Sequence, residues 1–154
     1  MVKKAFHTYA HAILSGILLI FCFPTFNLFP LAWIALAPVL VSLWNKKPKE
    51  AFLAGMLMGV IYFFGTMYWI YHSISHYGGV NIVLSLFLVF LLSLYLSLFT
   101  GLFAVLFSLK IAASRLPALL LAPLFWVTFE FIRSYALTGF PWSSIGYSQY
   151  NFPS

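Results

Sequence analysis

Residues 80–109 read VNIVLSLFLVFLLSLYLSLFTGLFAVLFSL, and these 30 positions contain no charged side chain. A helix needs about 20 consecutive apolar residues to cross the hydrocarbon core of a bilayer. Because the stretch exceeds that length, it predicts a membrane-spanning helix that tilts or extends beyond the bilayer. This run predicts that the chain is a membrane protein.

The composition of the whole chain agrees with a lipid environment. Hydrophobic residues make up 64% of the 154 positions, charged residues make up 6%, and the mean hydropathy is +1.03. Soluble domains carry about a quarter charged residues, because water must wet their surfaces. The net charge of +6 comes from a few basic residues between apolar runs, which act as topology signals and contact anionic membrane lipids. No basic surface exists to follow phosphates, so nucleic-acid binding is excluded.

Apolar runs on both sides of residues 80–109 predict an all-α fold. It is a polytopic transmembrane bundle of about five spans, at residues 9–23, 31–44, 51–70, 80–109 and 116–137. The first two runs are short and predict a short helical hairpin in a locally thinned bilayer. Pro38 lies inside the second run and is expected to kink it. A cleavable signal peptide is the alternative for the first run, but no small-x-small cleavage site follows it.

Small and hydroxylated residues indicate how the spans pack. Gly55 and Gly59 have the small-xxx-small spacing at which two membrane helices approach closely, which is favoured over a ligand groove. Hydroxyl groups recur in the fourth span among large apolar side chains. The candidates for hydrogen bonds between helices are Ser85, Ser93, Ser97 and Thr100.

The basic residues predict an orientation. With five spans, three clusters fall on one face and hold seven of the eight Lys and Arg residues: Lys3, Lys4, Lys46, Lys47, Lys49, Lys110 and Arg115. Cytoplasmic loops of membrane proteins carry an excess of Lys and Arg. We therefore expect a cytoplasmic amino terminus, with residue 154 on the outer side of the membrane.

Two charged residues lie inside the fifth span. Glu130 and Arg133 are three positions apart and project from one helix face. Charges at membrane depth are costly and face a partner or a wet cavity. The pair predicts a structural ion pair near the outer end of the helix. The alternative is a polar site that receives a lipid headgroup or supports an adjacent catalytic domain.

Histidine and cysteine give no metal site. His72 and His76 have i, i+4 spacing, but no third ligand is visible nearby, and metal sites need three or four. Their aromatic neighbours indicate a membrane-interface segment instead. Cys22 stands alone in an apolar run, where a free cysteine behaves as a small buried hydrophobe. The sequence therefore predicts no metal and no cofactor.

The segment TGFPWSSIGYSQ, residues 138–149, is the most distinctive part of the chain. Gly139 and Pro141 break the fifth helix at the outer interface, and Trp142 suits the headgroup level. The composition is typical of an aromatic-rich re-entrant loop. The sequence stops at Ser154 without a further helix or folded domain, so we expect it to be part of a longer chain.

These residues carry a resemblance to a known family. TGFPW followed by GYSQ, and preceded by Trp126, Glu130 and Arg133 in a W-x-x-x-E-x-x-R pattern, resembles the bacterial apolipoprotein N-acyltransferases. Three further stretches occur in the family's order: LAWIALAP at 31–38, YWIY…GG at 68–79 and SLYLSLFTGLFA at 93–104.

The resemblance implies an inner-membrane enzyme that moves an acyl chain from a phospholipid to the α-amino group of a lipoprotein's diacylglyceryl-cysteine. It implies a Glu-Lys-Cys triad in a nitrilase-like α/β domain, which is absent from this chain, so residues 1–154 correspond to the amino-terminal transmembrane domain. A cysteine thioester would carry the acyl group. No catalytic residue is expected here, and Cys22 is not the nucleophile. The expected structural or substrate-facing residues are Trp69, Trp126, Glu130, Arg133, Pro141 and Trp142.

Two other classes remain open as alternatives. A small, complete transporter subunit would line a path at the membrane midplane with polar residues, whereas the spans offer scattered hydroxyls apart from Glu130 and Arg133. A non-catalytic membrane scaffold would keep the fold without an enzymatic partner. The partners expected from the resemblance are a phospholipid acyl donor, the diacylglyceryl apolipoprotein and membrane lipids.

Overall fold

The regular elements of the chain are helical. A computed structural model describes residues 2–24, 26–110 and 115–150, and that part contains helices and turns without strands. The α-helices are α1 (Val2–Phe21), α2 (Ala37–Ser42), α3 (Pro48–Met67), α4 (Ile70–His76), α5 (Ile82–Lys110) and α6 (Arg115–Tyr135). Two 3₁₀ helices cover Phe29–Trp33 and Ile145–Gln149. The all-α prediction is confirmed.

Two of these helices are long and apolar enough to cross a membrane. They are Pro48–Met67, with a mean hydropathy of 1.5, and Ile82–Leu109, with 2.7. Shorter apolar helical segments cover His7–Phe21 and Phe29–Ser42. The predicted first and fifth spans coincide in position with α1 and α6. The count of five spans and the initial hairpin remain predictions.

The predicted second span, 31–44, is not one continuous helix. A 3₁₀ helix covers its start, and α2 begins at Ala37, so Pro38 lies in the first turn of a new helix. Proline has no N–H to donate to the preceding turn, and its ring clashes with the carbonyl four residues earlier. Pro38 therefore separates two short helices instead of kinking one long helix.

A side chain of α1 completes the start of α2. The hydroxyl oxygen of Ser15, which is fully buried, accepts a hydrogen bond at 3.0 Å from the backbone N–H of Val39. The first N–H groups of any helix lack partners within it. Ser15 supplies one from a neighbouring helix and fixes α2 against α1.

The region after α3 also differs from the prediction. Residues 71–79 lie between the predicted third and fourth spans, but α4 includes His72 and His76, and α3 ends at Met67 instead of residue 70. Gly79 has a φ of 65° and follows the end of α4. Glycine adopts this left-handed conformation at little cost, and it directs the chain toward α5.

The interface between α3 and α5 confirms the predicted close approach at Gly55 and Gly59. A methyl group built on Gly55 would lie 2.9 Å from the Cα of Gly101, and one on Gly59 would lie 3.0 Å from the Cα of Ser97. Neither distance leaves room for a side chain. Thr100 donates a hydrogen bond at 2.9 Å to the carbonyl of Gly55, as expected for a hydroxyl between packed membrane helices.

Of the other three predicted hydroxyl groups near or in α5, only one bonds to another helix. Ser97 donates to the Sδ of Met56 at 3.4 Å and so also bridges to α3. Ser93 donates to the carbonyl of Val89, and Ser85 donates to the carbonyl of Asn81. These last two bonds lie within α5 or at its start. Two of the four predicted hydroxyl groups therefore connect helices.

The contacts define the directions of the long helices. A side chain at Gly16 of α1 would meet Ile61 of α3, and one at Gly65 of α3 would meet Ile20 of α1, so these two helices run parallel. In α5 the order of the contacts is reversed, so it runs antiparallel to α3. Helix α6 runs with α3, because the guanidinium of Arg133 lies over the ring of Phe63 near the end of both helices.

These directions place the ends of α1, α3 and α6 at one end of the bundle, together with residues 138–150. The starts of the same three helices, and the end of α5, lie at the opposite end. That opposite end contains the backbone positions of the seven clustered basic residues. The segregation of charge is a feature of the fold, whereas its cytoplasmic assignment remains a prediction.

Candidate functional site

Helix α6 ends in a sharp reversal that begins the loop at residues 138–150. Leu137 has a φ of 57° and Gly139 a φ of 77°. The N–H of Gly139 donates to the carbonyl of Ala136 at 2.9 Å, and the N–H of Phe140 donates to the carbonyl of Arg133 at 3.1 Å. Such bonds satisfy the last carbonyls of a helix. The reversal sends the loop back toward α3.

Arg133 is the main anchor of this loop. Its side chain is 2% exposed, and two of its N–H groups donate to the loop, at 2.7 Å to the carbonyl of Trp142 and at 3.0 Å to the Oγ of Ser144. The guanidinium lies 5.1 Å from the centre of the Phe63 ring, a cation–π contact. One charged side chain therefore joins α6, the loop and α3.

Glu130 holds the other half of the loop. One of its carboxylate oxygens accepts a hydrogen bond at 2.8 Å from the N–H of Ile145, where the second 3₁₀ helix begins. A carboxylate is favoured at this position because the first N–H groups of a helix are unpaired and carry partial positive charge.

Glu130 and Arg133 attract each other electrostatically, but they do not form the direct contact of the predicted ion pair. In the part of the chain that the structure describes, Glu130 bonds to Ile145, and Arg133 bonds to Trp142 and Ser144. The sequence spacing was correct in placing both residues on one face of α6. The error was in the partner, because a loop from later in the chain lies over that face.

Two anchors of the loop were missed from the sequence. Tyr62 of α3, which is fully buried, donates its hydroxyl proton to the carbonyl of Ser143. The side-chain amide of Gln149 donates to the carbonyl of Phe29 at 2.9 Å, so the second 3₁₀ helix contacts the first. A tyrosine hydroxyl inside an apolar span was the available signal for Tyr62, because a buried hydroxyl requires a partner.

An aromatic pair lies where the loop meets the end of α3. The rings of Trp69 and Trp142 stack with centroids 5.6 Å apart and an angle of 25°, and Phe140 adds a second ring at 5.5 Å from Trp142. Both tryptophans are about half exposed. The pair borders a cavity of about 250 Å³ between α1, α3 and the loop, lined by Ile20, Phe23, Pro24, Gly65, Thr66, Met67, Trp69, Trp142 and Ser143.

The structure places five of the six predicted residues at or near the loop end of the bundle, and it places Trp126 near the middle of α6. Trp126 packs edge-to-face against Phe103 of α5, with ring centroids 5.2 Å apart. Pro141 is exposed at the start of the loop, and its carbonyl accepts a hydrogen bond from the hydroxyl of Ser144 at 3.1 Å. Glu130 and Arg133 hold this loop, and Trp142 reaches Trp69. Whether any of them faces a substrate stays a prediction.

Histidine and cysteine take no part in this arrangement. The rings of His72 and His76 stack 5.3 Å apart on the exposed side of α4. Among the described residues, no group of three His, Cys, Asp or Glu side chains could hold a metal ion. Cys22 is fully buried, and its thiol donates to the carbonyl of Leu18 at 3.2 Å. It is inaccessible to a substrate.

The fold and this loop define a class: an all-helical membrane domain whose last helix carries a buried arginine and a partly buried glutamate that fix an aromatic loop at one end. A family model described as the apolipoprotein N-acyltransferase N-terminal domain matches residues 15–154. The chain belongs to this family.

Individual relatives agree with the family match. The chain is 39% identical over 144 residues to the apolipoprotein N-acyltransferase of Geobacter metallireducens, covering 92% of this chain and 27% of the relative. It is 39% identical to the enzyme of Coxiella burnetii, covering 92% of this chain and 30% of the relative. It is 34% identical to the enzyme of Pasteurella multocida, covering 99% of this chain and 28% of the relative. The chain thus spans less than a third of the length of these relatives.

Proposed function

We propose that residues 1–154 form the amino-terminal membrane domain of an apolipoprotein N-acyltransferase. The complete enzyme would transfer an acyl chain from a phospholipid to the α-amino group of a lipoprotein's diacylglyceryl-cysteine. The observation that carries this proposal is the family match over residues 15–154, which includes the whole of the loop at residues 138–150. The triad of catalytic residues would lie outside these 154 positions.

The domain would hold the catalytic domain at the membrane surface and position the lipid-bearing substrates. An α/β catalytic domain needs a fixed location at the membrane surface, and lipid-bearing substrates need lateral access from the bilayer. The end of the bundle with the loop suits both tasks, because Glu130 and Arg133 fix the loop and Trp69 and Trp142 are exposed beside it. Tryptophan is enriched at membrane interfaces, where one part of the ring is apolar and the N–H meets water.

The proposed location is the bacterial cytoplasmic membrane, with the amino terminus inside and the loop outside. The segregation of basic residues to the opposite end of the bundle supports this orientation. A test compares Asn45→Cys with Ser75→Cys, each in a Cys22→Ala background, using a membrane-impermeant maleimide on intact cells. Labelling at position 75 without labelling at 45 is expected, and the reverse pattern would overturn the orientation.

An acyl-transfer assay tests the function. The longer protein that contains this sequence is reconstituted in phospholipid vesicles with a diacylglyceryl lipopeptide, and mass spectrometry detects the addition of one acyl group. We expect transfer by the longer protein and none by residues 1–154 alone. Activity of the 154-residue chain that Cys22→Ser abolishes would place the nucleophile in this domain and contradict the proposal. No transfer by the longer protein would overturn the assigned reaction.

A second assay tests the role of the loop. Trp142→Ala removes the ring that stacks on Trp69, and we expect transfer to fall at least tenfold with unchanged amounts of folded protein. Trp33→Ala is the matched control, because that ring is 79% exposed and lies outside the loop. Equal activity of the two variants would show that the stacked pair has no part in the reaction.

A further inference from the structure

The cavity beside the stacked tryptophans has an open mouth and a buried floor. Three of the residues that line it, Pro24, Trp69 and Trp142, are exposed, whereas Met67 is only 1% exposed. The cavity therefore extends from the surface of the bundle into the space between the ends of α1 and α3. Its volume of about 250 Å³ equals that of about eight water molecules.

The wall of this cavity carries no charge. Apolar and aromatic residues form most of it, the hydroxyl-bearing residues are Thr66 and Ser143, and none of the nine lining residues is ionisable. The hydroxyl of Thr66 already donates to the carbonyl of Tyr62 in its own helix, at 2.9 Å. A phosphate or an ammonium group placed here would lose water without gaining an opposite charge. The cavity therefore fits an uncharged and mainly apolar ligand.

The position and the size of the cavity favour one such ligand. It lies at the loop end of the bundle beside two half-exposed tryptophans, and tryptophan is enriched where a bilayer meets water. The apolar groups that a bilayer supplies there are the acyl chains of its phospholipids. Sites that enclose a whole small molecule measure about 300–1,000 Å³, so this cavity holds part of one chain and not a complete lipid.

We infer that this cavity binds part of one acyl chain of a membrane phospholipid. The chain enters beside the stacked rings of Trp69 and Trp142 and lies against Met67. An unfilled apolar cavity deprives its lining of dispersion contacts, and a chain that fills it restores them. The inference rests on the membrane location of the protein and not on the acyl-transfer reaction, so the failure of one does not affect the other.

Photochemical labelling of the longer protein that contains this sequence tests the assignment. The protein is reconstituted in nanodiscs of phosphatidylcholine that carries a diazirine in one acyl chain, and mass spectrometry locates the adducts after irradiation. Met58 is the internal control, because it lies in α3 like Met67, is 0% exposed and is not among the lining residues. We expect labelling of Met67 several-fold above that of Met58. Equal labelling, as when a protein segment fills the cavity, would overturn the inference.

A substitution that fills the cavity provides a second test. Thr66→Phe adds a ring to the wall and removes only a hydroxyl that bonds within α3, and we expect labelling of Met67 to fall several-fold. Thr128→Phe is the matched control, because Thr128 is exposed on α6 and its hydroxyl also bonds four residues back, to Leu124. An equal fall in both variants, or no fall in a folded Thr66→Phe protein, would overturn the inference. The comparison of Met67 with Met58 requires no variant and remains decisive if Thr66→Phe does not fold.

Discussion

The hydroxyl of Tyr62 donates a hydrogen bond to the backbone carbonyl of Ser143, 81 positions further along the chain. This bond joins the last turns of α3 to a loop whose local sequence does not reveal the contact. With Arg133, Glu130 and Gln149, it gives the loop at residues 138–150 anchors in α6, in α3 and in the first 3₁₀ helix. The loop is therefore a fixed part of the bundle.

We expect Tyr62→Phe to destabilise the protein by about 1–2 kcal/mol, because the carbonyl of Ser143 loses its donor in a buried site. Thermal denaturation in detergent micelles measures the change. Tyr68→Phe is the control, since that side chain is 45% exposed. If both variants melt at the same temperature, the bond to Ser143 contributes nothing to stability.

Arg133→Met should destabilise the protein by about 3 kcal/mol and loosen the loop, because it removes two charge-assisted bonds and leaves the Trp142 carbonyl without that donor. Limited proteolysis within residues 138–150 provides the readout. Lys47→Met, which removes an exposed charge at the start of α3, should leave cleavage unchanged. Arg133→Lys should restore only part of the protection, since an ammonium cannot reproduce the planar fork of a guanidinium.

Gly59→Ala should cost about 1–3 kcal/mol, because its methyl group would lie 2.8 Å from the Cβ of Ser97 and force α3 away from α5. For a chain of this length, we expect the melting temperature to fall by about 2–4 °C per kcal/mol. Gly146→Ala provides a matched control, because a Cβ there meets no atom within 4 Å. A Gly59→Ala protein as stable as the Gly146→Ala protein would mean that the two helices can separate without cost.

Ser15→Ala should cost about 1 kcal/mol, because the N–H of Val39 loses the hydroxyl that caps α2 from another helix. Hydrogen exchange at Val39 should accelerate relative to α3. Ser73→Ala, on the exposed side of α4, serves as the control for serine replacement. Unchanged protection of Val39 would show that α2 begins without help from α1.

The features that the sequence predicted are those set by local patterns. The uncharged run at 80–109 matches α5 to within two residues at each end, and the four-residue spacing of Gly55 and Gly59 marks a close approach of α3 to α5. The first signal depends on the length of an apolar run, and the second depends on helical periodicity. Glu130 and Arg133 were placed on one face of α6 for the same reason.

The features that escaped prediction depend on contacts between distant parts of the chain. Gln149 bonds to Phe29 across 120 positions, and Tyr62 looked like one more aromatic residue in an apolar run. The partner of Glu130 was wrong because a charge of opposite sign stood three residues away, while the true donor was a backbone N–H in a loop. The spacing of charged residues in α6 does not identify a backbone partner in a later loop.

The broken helix between α1 and α3 has a consequence for how the protein is made. Because α1 and α3 run parallel, the chain must return along the bundle between them, and it does so with two short helical pieces that Pro38 separates. Six residues of α2 span about 9 Å, too little for independent insertion into a bilayer. Ser15 is synthesised before Val39, so the hydroxyl that caps α2 is already available when this segment emerges. The amino-terminal helix is thus a wall of the finished bundle and also the surface that receives the short helix between α1 and α3.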